Sequence, residues 1–132
     1  MPALSPPASR PRPKHLNLVK IKQPLPAIVS VLHRISGAAL FLFAIPLLLI
    51  LVNASLASPE TYTSMKEIVG SPLIKLFLLG LVWAYLHHFC AGIRFLLLDI
   101  HWGASLAAAR QSSRAVLVVS LVLTVVLGLR LW

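Results

Sequence analysis

The stretch AIVSVLHRISGAALFLFAIPLLLILV, residues 27–52, decides the fold. Arg34 is its only charged residue, and the rest is almost entirely apolar. A helix that crosses the hydrocarbon core of a bilayer needs about 20 mostly apolar residues. In lipid every backbone polar group must find a partner within the protein, so a lone strand is excluded and a helix is predicted. Two further runs have the same character, at 72–98 and 115–132. The chain is therefore predicted to be an all-α membrane protein with three transmembrane helices. Pro46 lies inside the first run and is expected to kink it. The linker 53–71, NASLASPETYTSMKEIVGS, reads as a loop with a short helix near 64–69.

Composition agrees. Of 132 residues, 58% are hydrophobic and 11% charged, whereas a soluble domain carries about 25% charged residues. The net charge of +9 raises nucleic acid as a partner. The basic residues flank apolar runs and form no stripe with interleaved aromatics, so nucleic acid binding is excluded in favour of membrane lipid. The single Cys90 leaves no internal disulfide and no metal-type cysteine spacing. Residues 1–26, rich in Pro and basic residues at their start, read as a disordered or amphipathic leader without the apolar core of a signal peptide. Residues 27–132 form the membrane domain.

Basic residues favour the cytoplasmic side. Nine of the twelve Lys and Arg fall on the N-terminal side of the membrane, counting the connection between the second and third spans. Lys66, Lys75 and Arg130 fall on the other side. The N-terminus is expected to be cytoplasmic, with Arg34 and Arg94–Asp99 near that same inner face.

Ionisable groups inside spans are costly and point to function. The first span carries Ser30, His33, Arg34 and Ser36, and the second His87, His88, Arg94 and Asp99. An imidazole in the membrane makes an interhelical hydrogen bond or ligates haem. Gly80, Ala84, His88, Ala91 and Gly92 fall on one helical face, so a flat macrocycle or another helix could approach the backbone beside His88. That makes His88 the better ligand candidate. His87 is expected to hydrogen-bond, or to face a headgroup or partner. At about 1.5 Å per residue, His88 lies roughly 16 Å inside the inner boundary and His33 roughly 9 Å. His33 is thus a poor second ligand for the same iron, but is placed for acidic propionates. Arg34 either offers its forked donors to an anionic or carbonyl oxygen or snorkels to headgroups.

Two strings resemble a known family. RPKHLNLVKIKQPLPAIVSVLHRISG (12–37) is similar to the start of the succinate dehydrogenase cytochrome b subunits, where an RP…HL segment precedes S-x-x-H-R-x-[ST]-G. HFCAGIRFLLLD (88–99) resembles their second motif, H-x-x-x-G-I-R-H-L-x-x-D, departing at Phe95. The resemblance implies a membrane anchor of respiratory complex II, acting as a subunit of succinate dehydrogenase and inactive alone. It implies haem b as cofactor and ubiquinone as substrate. It places the axial ligand at His88, quinone contacts at Ser30 and Arg34, and haem-propionate contacts at His33 and Arg34. The implied partners are a second anchor subunit supplying the other axial His, an iron–sulfur subunit and a flavoprotein subunit. The implied location is a bacterial inner membrane rather than the mitochondrial one. A quinol:fumarate reductase anchor and a structural membrane subunit without haem remain the alternatives.

Overall fold

The computed structural model describes residues 20–131. Most of the 1–26 leader therefore lies outside the described residues. Helix α1 covers Leu25–Ala39 and starts at Pro24-Leu25-Pro26. A proline at the second helical position is harmless, because its missing N–H would have had no intrahelical partner there. The helix passes through a π-helical turn at Leu40–Ala44 into α2, Ile45–Ala57. Ile45 N–H bonds Leu40 O across the wider turn, immediately before Pro46. The local irregularity expected from Pro46 thus takes the form of a π turn, one of the recognised ways a helix absorbs a disturbance. Together these segments form one apolar helix from Leu25 to Ala57.

The linker is helical, which corrects the loop reading. Helix α3 spans Pro59–Gly70. Ser58 is extended and caps it: Ser58 Oγ accepts from Thr61 N–H at 3.2 Å, and Thr61 Oγ1 accepts from Ser58 N–H at 3.1 Å. Thr61 here does what Glu or Gln usually does in such a reciprocal box. Pro59 at the first position and Glu60 in the first turn favour the same start. The linker lacks an apolar period, and for that reason its helicity was hard to see.

Helix α4 spans Pro72–Asp99 and α5 spans Leu106–Leu131, so the third helix begins well before the apolar run at 115. The chain leaves α4 through a reversal in which Trp102 N–H bonds Leu97 O and His101 N–H bonds Leu98 O. His101 takes the left-handed conformation that this motif requires, with φ 62°. Helix α1 runs antiparallel to α4, with Gly37 facing His88 and Gly92 facing His33. Helix α5 runs antiparallel to α4, with Arg94 reaching Ser112 and Gly128 facing Leu79.

The core is small and polar. Its buried apolar residues are Val29, Ala84, Ala91 and Val116, and beside them Ser36, His87, Arg94, Ser113, Ser120 and Thr124 are buried. Large apolar side chains such as Phe41, Leu48, Leu76 and Leu121 face outward. Lipid chains are as apolar as leucine, so helices associate through close backbone approach and hydrogen bonds instead. The α5 hydroxyls satisfy themselves: Ser113 donates to Ala109 O at 2.7 Å and Thr124 to Ser120 O at 2.7 Å.

Ser58→Ala removes the cap of α3 and should cost about 1 kcal/mol of local stability. Amide hydrogen exchange checks this: exchange in the first turn of α3 should quicken several-fold while α4 amides stay unchanged.

Candidate functional site

The site lies where α1 crosses α4. Gly37 has no side chain, and a Cβ built there would sit 2.8 Å from His88 Cε1. The imidazole therefore lies close against α1 at Gly37. Its Nδ1 is 3.0 Å from His33 O and 3.2 Å from Ser36 Oγ. A carbonyl oxygen can only accept, so Nδ1 carries the proton and Nε2 keeps a free lone pair. Ser36 O–H donates to the same carbonyl at 2.9 Å, which turns an oxygen lone pair toward Nδ1–H.

His33 stacks on His88, with ring centroids 4.1 Å apart and planes 7° from parallel. This corrects the depth argument, which placed His33 well above His88. The backbones do differ in depth, since Gly92 rather than His88 lies opposite His33; the rings meet because side chains reach along the helices, which a count of backbone positions leaves out. Face-to-face rings do not present nitrogens across a common iron, so His33 remains unsuited as the second ligand, for a geometric reason. Phe95 also packs against His33, with centroids 5.1 Å apart and planes tilted by 54°. The residue that departs from the second motif is thus packed against the imidazole pair. Gly92 leaves room beside His33: a Cβ there would be 3.7 Å from His33 Nε2.

His87 lies elsewhere. It is fully buried among the chain's own helices, with neither ring nitrogen hydrogen-bonded, and it stacks on Trp83 at 5.2 Å. The Val29 backbone on α1 is the nearest partner for the expected hydrogen bond, without good geometry, and the ring is not exposed to a headgroup or partner. The small-residue face is divided too. Ala84 and Ala91 are buried in the same helix core as His87, while Gly80 faces open space.

Ser30 is half-buried and Arg34 exposed, both on α1, and neither hydrogen-bonds within the described residues. Both are therefore free to meet something outside this chain. Arg94 does not pair with the exposed Asp99. It is buried, and its Nε donates to Ser112 Oγ at 3.0 Å on α5. Beside it lies a cavity of about 420 Å³ lined by Trp102, Gln111 and Ser112 together with apolar residues. No group of three or more metal-ligating side chains occurs among the described residues. A single imidazole with a free Nε2 suits one bond to a metal that is otherwise held by a macrocycle.

Three membrane-length helices with an imidazole oriented at their crossing define a multi-pass membrane protein whose polar groups sit within the spans. The chain belongs to the succinate dehydrogenase/fumarate reductase transmembrane subunit family, whose profile matches residues 8–127. It is 37% identical to the succinate dehydrogenase cytochrome b556 subunit of Coxiella burnetii, over 92% of this chain and 97% of that protein. It is 35% identical to the subunit of the same name from Paracoccus denitrificans, over 89% and 88% of the two chains. The Rickettsia felis subunit is 32% identical over 89% and 90%. The family read from the two motifs is thereby established, and with it membership of an enzyme complex.

Gly37→Ala should be destabilising despite alanine's better helix propensity of about 1 kcal/mol, because overpacking costs about 1–3 kcal/mol. Gly80→Ala meets nothing and should be neutral or stabilising. Thermal unfolding of the detergent-solubilised chain checks both, with a lowered midpoint expected for Gly37→Ala alone.

Proposed function

We propose that this chain is the membrane anchor and b-type cytochrome subunit of a succinate:quinone oxidoreductase. The observation that carries the reading is the imidazole of His88, held at Nδ1 by α1 with Nε2 left free. The relatives named cytochrome b556 support haem b as the group it meets. Haem b, when bound, supplies one-electron transfer. A second anchor subunit would supply the other His ligand, since the His33 ring is stacked on that of His88. The largely uncovered first span, 6% buried in its most apolar window, offers that subunit a surface.

His33 and Arg34 would hold the acidic propionates of such a haem, as hydrogen-bond donor and cation. Ser30 and Arg34 lie four residues apart on one side of α1. They donate hydrogen bonds to a ubiquinone carbonyl oxygen that gains negative charge on reduction, and so favour the reduced species. The bias of basic residues puts the N-terminus and this site at the inner face, within reach of aqueous protons and of a docked iron–sulfur subunit. The flavoprotein subunit oxidises succinate, since this chain holds no nucleotide fingerprint. The membrane is the inner membrane of a bacterium, in keeping with the bacterial relatives. The names of these relatives favour succinate oxidation over fumarate reduction.

Two outcomes test the reading. His88→Ala should abolish or alter the low-spin b-type spectrum of the assembled complex, and His87→Ala should leave it unchanged; the reverse would sink the ligand assignment. Losing a hydrogen bond to a group that gains charge costs about 1.5–3 kcal/mol, roughly 10–150-fold in rate. Ser30→Ala and Arg34→Leu should therefore lower quinone reduction by that order. Succinate oxidation with an artificial acceptor upstream should persist in the same preparation. Arg34→Lys should rescue only in part, because an ammonium lacks the planar fork. Unchanged quinone reduction would leave Arg34 as a snorkelling anchor.

A further inference from the structure

We propose that Ser36 is a positioning residue for the haem ligand, tuning the iron through the far nitrogen of His88. The inference rests on the reading of His88 as ligand and goes beyond it. The Nδ1–H of His88 is shared between two oxygens, His33 O at 3.0 Å and Ser36 Oγ at 3.2 Å. Both belong to one turn of α1. Ser36 is buried, and its own proton is committed to His33 O at 2.9 Å. The hydroxyl therefore acts toward His88 as an acceptor only. Gly37, the next residue, lets the ring lie close enough for both contacts, since any Cβ would meet the ring at 2.8 Å.

Acceptors at the far nitrogen of a ligating imidazole do three things. They fix which nitrogen carries the proton, fix the ring's rotation, and raise the basicity of the nitrogen that faces the metal. A more basic ligand favours the oxidised iron, so this arrangement holds the midpoint potential down. His87, one residue away, makes no hydrogen bond of good geometry at either nitrogen among the described residues, although the Val29 backbone, also on α1, lies near its ring. The α1 turn His33–Ser36–Gly37 thus distinguishes two adjacent imidazoles, and prepares one of them as a ligand.

Ser36→Ala removes one of the two acceptors and leaves the His33 carbonyl, so Nδ1–H is not orphaned and assembly should survive. Loss of an outer-shell partner typically lowers metal-site affinity about 10–100-fold. With one acceptor retained, the lower end is expected, seen as faster haem loss from the purified complex. The potential should rise, shifting the oxidised-to-reduced ratio at a fixed potential by about threefold to tenfold, where tenfold is about 59 mV for one electron. Ser36→Thr keeps the hydroxyl and should restore the wild-type potential. If Ser36→Ala assembles poorly, Ser36→Cys, a weaker acceptor of similar size, should fall between alanine and wild type. Redox titration of the haem band in the assembled, haem-containing fraction is the readout, and a purely structural role for Ser36 would not move it. A wild-type potential in Ser36→Ala, or an equal shift in Ser36→Thr, overturns the proposal. His88→Ala in the same series separates the two levels. If it retains the native spectrum, the ligand assignment itself fails; if it loses that spectrum while Ser36→Ala titrates as wild type, only the role of Ser36 fails.

Discussion

The close approach of Gly37 to His88 fixes the register of the first and second spans. Where a side chain at position 37 would collide with the ring, the missing side chain lets α1 and α4 come together. The His33 carbonyl then takes the imidazole proton, and the His33 ring stacks on the face of His88. One turn of α1 supplies the space, the acceptors and the stacking partner. Because α1 and α4 run antiparallel, this contact also places Gly92 opposite His33 and brings Phe95 against its ring.

Around that contact the bundle is built as lipid demands. Polar side chains occupy the seams, and large apolar ones face out. Hydroxyls on α5 bond carbonyls of their own helix, so small polar residues fill tight positions without leaving a donor unpaired. Arg94 is neutralised by no carboxylate among the described residues and is instead hydrogen-bonded across to α5. His87 and Trp83 are the exceptions, with three buried ring nitrogens that make no hydrogen bond of good geometry among the described residues. Such groups carry a desolvation cost of about 1–3 kcal/mol each when no partner is supplied.

Much of this was legible in the sequence. Apolar runs of membrane length gave the three spans, since helix is the only spanning structure a single segment can form. The two motifs carried the family. Three features were not legible, each for a physical reason. Helix α3 depends on a reciprocal Ser58–Thr61 cap in a segment with no apolar period. The stacking of His33 on His88 depends on how far the two side chains reach along their helices, which counting backbone positions cannot see. The burial of His87 depends on which face of α4 meets α1 and α5, and α4 is so apolar all round that its pattern selects no face. Asp99 and Arg94, close in sequence, sit in different surroundings because five residues of helix turn them well apart.

The most direct test is a structure of the assembled complex at a resolution that shows ring orientation. The account predicts His88 Nε2 on the haem iron, with Nδ1 still at hydrogen-bond distance from His33 O and Ser36 Oγ. It also predicts the opposite ligand from a different subunit. Iron ligated by His87, by His88 Nδ1, or by no residue of this chain would contradict it.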